Sequence, residues 1–338
     1  MDSRTSCGIV IAGALLAGWI ATGQESRQEW RLKRADSPDM VQFTVERWKV
    51  GSHWSNSNDV PLSRFRGLTA ETFDRGGRVT FEYVQDAGRL ICQGDFSWRR
   101  GSGTFQFEPN PQFGEELRRL GYIAPDQEQT FTMMMTGMSL EFARGVRDAG
   151  LHASTGQLID LRIHGVSLDY LSEAQQAGYA SFSAEDYIDL KIHGVRTEFL
   201  RDLKGAGYSL SSSQIVELAI HGVNSGYMRE LRDYGLKPQP SDMVQLKIHG
   251  VSPTYLKGLK DAGYGVLAVD EITNLKIHGV SLDFIQESKT LGYRFTPDEL
   301  TNLSIHGVNA AYLRRLRDAG MQNLSAQQIE KLKIHGVD

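Results

Sequence analysis

Apolar and polar positions alternate from about residue 40 to residue 107. Val41, Phe43 and Val45 form one series, and Val79, Phe81 and Tyr83 a second. Leu90, Cys92, Phe96 and Trp98 form a third, and "GTFQF" follows. Period two predicts strands with one buried face. The turn-forming stretches "QDAG" (85–88) and "RRGSG" (99–103) separate them, which predicts an antiparallel meander. Residues 53–69 break the alternation and read as a long loop or a short helix.

From residue 107 the period lengthens to 28 or 29 residues. The motif "IHGV" occurs seven times, with its histidines spaced by 29, 28, 28, 29, 28 and 29 residues. "MTGMSLEF" (135–142) is an earlier unit with Thr136 at the histidine position. Such regularity marks a stacked repeat array. In one unit, Ser252 suits an N-cap and Pro253 the first helical position. Tyr255, Leu256 and Leu259 then give an apolar face, Lys260 suits the negative end of the helix, and Gly263 stops it. A second helix opens at Asp270, with Ile272, Leu275 and Ile277 expected on one side and Gly279 as its stop. Helices this short are unstable alone in water and must stack on neighbours.

The fold class expected is therefore α+β in two domains. A small antiparallel β domain (40–106) precedes an α-solenoid of about eight helix-turn-helix units (107–338) and leans on it. Residues 24–39 read as a linker. Residues 1–23 read as a signal peptide or a short anchor: "GIVIAGALLAGWIATG" (8–23) follows Arg4 and ends in small residues. Its 16 apolar positions fall short of the ~20 that a spanning helix needs. The expected location is periplasmic or secreted, with N-terminal anchoring as the alternative and no membrane span once the signal is cleaved. Cys7 would leave with the signal, and Cys92 alone then packs as a small hydrophobe.

The repeated histidines are the first candidate chemistry. His164–Gly165, His193–Gly194, His221–Gly222, His249–Gly250, His278–Gly279, His306–Gly307 and His335–Gly336 hold seven of the nine histidines. Zinc needs three or four ligands within ~2.0–2.3 Å. Histidines on successive stacked helices stand ~8–10 Å apart. No carboxylate or cysteine recurs beside them at ligand spacing, and "HExxH" is absent. They read instead as structural joints whose rings bond carbonyls at the helix end. No metal or cofactor is expected.

A second recurring column is basic. Arg118, Arg147, Lys204, Arg232, Lys260, Lys289 and Arg317 share one repeat position, with Gln175 as the exception, and form a candidate contact ridge. Neighbouring acids (Asp148, Asp202, Asp233, Asp261, Asp318) dilute it. "LxIHGVSxxYL" faintly resembles a helix-hairpin-helix nucleic-acid module, but Ser252 stands where a second hairpin glycine belongs. Residues 107–338 carry 23 Lys+Arg against 29 Asp+Glu, so this part is at 23 − 29 = −6 in a chain of −4. A phosphate-binding array should be basic, so nucleic acid is not an expected partner. An alternative enzyme reading places a hydrolase site at His53, Ser55 and Asp59, without any G-x-S-x-G nucleophile turn to support it. The chain ends at "IEKLKIHGVD", where Ile329, Leu332 and Ile334 are expected to form an apolar face covered by a second copy or a partner.

"LKIHGVSPTYLKGLKDAGY" (246–264) resembles repeats that follow the peptidase domain in some bacterial relatives of the beta-lactam-sensor antirepressor membrane metallopeptidase family. "HWSNSNDVPLSRFRGL" (53–68), "YVQDAGRLICQGDF" (83–96) and "GSGTFQFEPNPQF" (101–113) are similar to the small domain that precedes those repeats. The likeness covers about residues 40–338. It implies an extracytoplasmic sensing or interaction role, with a protein partner or a cell-envelope component. The chain lacks the zinc-peptidase motif and the set of transmembrane helices, so no catalytic residue carries over and proteolysis is not implied.

Overall fold

The computed structural model describes residues 27–337 apart from Pro38 and Val50; the proposed signal and its cleavage site lie outside the described residues. Seven strands form one antiparallel sheet: β1 (Arg27–Arg34), β2 (Met40–Lys49), β3 (Ser52–Pro61), β4 (Phe65–Arg66), β5 (Gly77–Gln85), β6 (Gly88–Ser97) and β7 (Arg100–Pro109). Their order is β3-β2-β1-β7-β6-β5-β4. Two expectations change here. The expected linker holds β1, which sits mid-sheet and pairs with both β2 and β7. Only Trp30 and Leu32 of β1 are fully buried, and its other positions are largely charged, so it reads as polar. The expected loop at 53–69 opens with β3, followed by a 3-10 turn, β4 and helix α1 (Ala70–Arg75). As an edge strand β3 tolerates polar residues on its inner face, where Asn58 Nδ2 donates to Asn56 Oδ1 (2.7 Å).

The sheet curls onto itself around aromatic rings. Phe43 on β2 lies 5.1 Å from Phe65 on β4 and 5.2 Å from Tyr83 on β5, although these strands sit toward opposite ends of the strand order. Trp30 packs edge-on against Phe81 (4.8 Å), and its indole N–H donates to Thr104 O (3.0 Å). That bond satisfies the one polar atom such a ring carries into a core. Cys92 is fully buried in this core, and burial pushes its thiol up, away from the reactive thiolate.

Sixteen helices follow among the described residues. The first of each pair are α2 (Pro111–Arg119), α4 (Leu140–Asp148), α6 (Leu168–Ala174), α8 (Thr197–Gly205), α10 (Ser225–Tyr234), α12 (Pro253–Asp261), α14 (Leu282–Thr290) and α16 (Ala310–Asp318). The second are α3 (Gln127–Met135), α5 (Thr155–Ile163), α7 (Ala184–Ile192), α9 (Ser212–Ile220), α11 (Pro240–Ile248), α13 (Val269–Ile277), α15 (Pro297–Ile305) and α17 (Ala326–Ile334). Contacts divide the chain into two units. One holds the sheet and the described chain up to Gln175 with Ser181–Ile188; the other holds Gln176–Ala180 and the chain from Asp189 onward. Within each unit first helices pack on first helices and second on second, as in α2 on α4 and α3 on α5, or α10 on α12 and α11 on α13.

The sheet rests on the first repeat, within the same unit. Phe131 of α3 lies under the Arg47 guanidinium (4.1 Å) and edge-on to Trp54 (5.2 Å) and Phe107 (5.3 Å). Arg47 and Lys49 both pair with Glu128, and the bond from Lys49 is the main cause that holds its carboxyl below the usual range.

Candidate functional site

Each second helix ends in the same backbone joint. His249 is the C-cap residue, and its amide makes the last helical bond, to Gln245 O (3.0 Å). Gly250 turns left-handed (φ 68°), donates to Lys247 O (3.0 Å), and lets Val251 donate to Leu246 O (2.8 Å). This double bond closes the helix and drives the valine inward. Val166, Val195, Val223, Val251, Val280 and Val308 are all buried.

The histidine rings are not what makes the joint, which corrects the sequence reading. The glycine and valine amides close the helix end without any bond from the ring. The rings are exposed, or half-buried at His249. Of the seven, only His306 has a polar ring contact, from Nε2 to Glu330 Oε1 (3.2 Å). No group of three or more His, Cys, Asp or Glu side chains able to hold a metal occurs among the described residues.

What locks one repeat to the next is an aromatic side chain. The Tyr255 hydroxyl donates to Val280 O (2.9 Å), Tyr227 to Val251 O (3.2 Å), and Tyr312 to Val337 O (2.7 Å). The lysine of "LKIHGV" lies over the same rings: Lys247 over Tyr227 (4.0 Å), Lys276 over Tyr255 (4.7 Å) and Lys333 over Tyr312 (4.6 Å). Burial pushes the Tyr227 phenol to about 12, so it remains a donor at physiological pH. A further tyrosine clamps the following loop, as Tyr264 does at Phe295 O (2.8 Å).

The isoleucine before each histidine points out, against the expectation for Ile277. Two residues along a helix turn the side chain by about 200°, so Ile277 cannot share the face of Leu275. Leu275 is fully buried and Ile277 is 51% exposed. The same holds for Ile192, Ile220, Ile248, Ile305 and Ile334, at 51–60%. Six of the nine large apolar side chains exposed among the described residues therefore fall at one repeat position. With packed helices ~8–10 Å apart, they form a ladder of apolar rungs beside exposed histidines. Helical angle alone could have found this column; counting apolar residues could not.

The basic column ends the first helices. Arg118, Arg147, Arg232, Lys260 and Arg317 are exposed, and Lys204 and Lys289 are half-buried. Part of its charge is spent locally: Arg147 pairs with Asp148 (2.7 Å), Arg317 with Asp318 (2.7 Å), and Lys204 lies over the Tyr179 ring (4.6 Å). His53, Ser55 and Asp59 do not assemble. All three lie on β3, where a rise of ~3.3 Å per residue puts Ser55 about 7 Å and Asp59 about 20 Å from His53. The His53 ring stacks on Trp48 instead (4.9 Å). At the expected apolar face near residue 334, Ile329 is fully buried, Leu332 is half-buried where the matching leucines of other repeats are fully buried, and the 56% exposure of Ile334 matches its column. No helix among the described residues is long and apolar enough to cross a membrane. The chain matches no protein-family model, and no curated protein shows significant similarity to it.

Proposed function

We propose that this protein is an exported, non-enzymatic binding protein, a scaffold or sensor component, whose repeats hold a protein segment along the isoleucine–histidine edge. The observation that carries the reading is the isoleucine column. A repeat needs its apolar residues for stacking, yet here six repeats hold one half-exposed isoleucine each at the same position. Covering one such side chain is worth about 1 kcal/mol. A ladder of them suits a polyproline-II segment with an apolar residue at every third position, since three residues of that helix make one turn, span ~9 Å and return to the same face. The histidines beside them add hydrogen-bonding groups that can answer polar residues between the rungs. Export is supported by the apolar run at 8–23 that follows Arg4.

Peptide display tests the reading. Peptides selected on the purified protein should be enriched in apolar residues at a spacing of three. The double variant Ile220→Asp/Ile248→Asp should lose them while keeping its melting temperature, because both side chains are exposed. No enrichment, or an unchanged selection on the variant, would defeat the reading.

A further inference from the structure

In the repeat that holds α8, a glycine at one position and a missing leucine contact at another meet at one cavity. At the position after the basic column, four other repeats carry an acid (Asp148, Asp233, Asp261 and Asp318) and three carry Arg119, Gln176 or Thr290. Here that position is Gly205. A Cβ built on it meets nothing within 4 Å, so the missing side chain leaves open space. A second feature lies one turn earlier, at a position where most repeats carry an acid (Glu116, Glu173, Glu230 and Glu287). At two junctions a glycine receives a leucine of the next first helix: a Cβ on Gly145 would lie 2.5 Å from a Leu168 methyl, and one on Gly258 2.5 Å from a Leu282 methyl. Between α8 and α10 the same two positions are Asp202 and Ser225, so no leucine fills the gap.

The result is a cavity of ≈520 Å³ whose lining includes both Asp202 and Ser225. That lies within the size range of small-molecule sites. Its lining holds the cations Arg229, Arg232 and Lys237, with Arg201 beside Glu198, against the one lining carboxylate Asp202, so positive charge exceeds negative there. The whole chain is at −4, so this is a local reversal of sign. In a cleft with low-dielectric walls such a cluster concentrates anions. Those walls are partly apolar, with Met228, Leu236 and Met243 among them. Tyr208 holds the loop beside Lys237 in place by donating to Pro238 O (2.7 Å).

We propose that this cavity binds a small organic anion with at least two negative charges on an apolar body. The guanidinium groups offer paired donors suited to phosphate or carboxylate oxygens. The apolar wall covers the remainder of the ligand. The site is separate from the isoleucine ladder and stands or falls independently of it.

Titration calorimetry on the full chain at about 50 mM salt keeps the electrostatic contribution measurable. The probes are phenyl phosphate, inorganic phosphate and phenol. Phenyl phosphate should bind saturably, at least about tenfold tighter than inorganic phosphate, and phenol should not bind. Gly205→Asp introduces the acid that four other repeats carry there. It should weaken phenyl phosphate about tenfold or more without changing the melting temperature, and Lys237→Ala should do the same. Lys260→Ala, which is not among the residues lining this cavity, should leave binding unchanged. No saturable binding overturns the proposal. So does binding that both Gly205→Asp and Lys237→Ala leave intact, or equal affinity for inorganic phosphate.

Discussion

Substitutions at Gly250 separate a backbone joint from a side-chain one. Its φ is 68°, and a Cβ built there meets nothing within 4 Å. Any loss of stability is therefore conformational rather than crowding by neighbours. The left-handed conformation costs an L residue about 1–2 kcal/mol, least for Asn and most for a β-branched side chain. The alternative is for the chain to relax and give up the bonds from Gly250 to Lys247 O and from Val251 to Leu246 O. At about 1 kcal/mol each, that route costs a similar amount. Gly250→Asn should thus lose less than about 1 kcal/mol, Gly250→Ala about 1, and Gly250→Val about 2. For a unit of this size 1 kcal/mol moves Tm by about 2–4 °C, so the valine variant should melt about 4–8 °C lower. His249→Ala should move Tm little, because the ring makes no joint. The assay is urea and thermal unfolding followed by far-ultraviolet circular dichroism. Equal stabilities for Asn, Ala and Val at 250, or a larger loss from His249→Ala than from Gly250→Val, would refute the backbone account.

Tyr255→Phe should cost about 1 kcal/mol by leaving Val280 O without its donor, and Phe284→Tyr, which adds a hydroxyl at the matching position, should gain up to about 1; urea unfolding measures both. Glu128 has a depressed pKa, so its contribution is complete above the usual carboxylate range and is lost as pH falls through the lowered value. The sheet-containing unit should therefore lose some stability between about pH 5 and pH 3. Glu128→Gln should remove part of that loss, which thermal melts across this pH range would show.

The array was legible because its signals recur. Ser252 caps its helix as read, and Gly250, Gly263 and Gly279 all turn left-handed. The second helix opens at Val269, one residue before the position read from Asp270. Strands β1 and β3 were missed because each shows its period to one face only. In β1 the outward residues are charged, and in β3 asparagines replace the apolar half of the alternation. The histidines drew attention as chemistry because they are rare and regular. Their regularity comes instead from the joint: the residue before the glycine stop is exposed in six of the seven "IHGV" copies, so one side chain recurs on one edge. The isoleucine beside it carries the clearer functional signal, and it was misplaced for want of the 200° turn from the buried leucine. The cavity at Gly205 left no mark in the sequence, because each residue that opens it is ordinary by itself.

The central claim, that one edge of the array is the binding edge, is tested most directly by photo-crosslinking in cells that express the full chain. A photoreactive amino acid is placed singly at Ile192, Ile220, Ile248, Ile277 and Ile305, and at the exposed positions Lys257 and Gln286 away from that column. The account predicts adducts of one common mass at successive isoleucine positions and none at 257 or 286. Adducts only at the control positions, or none along the column, would contradict it.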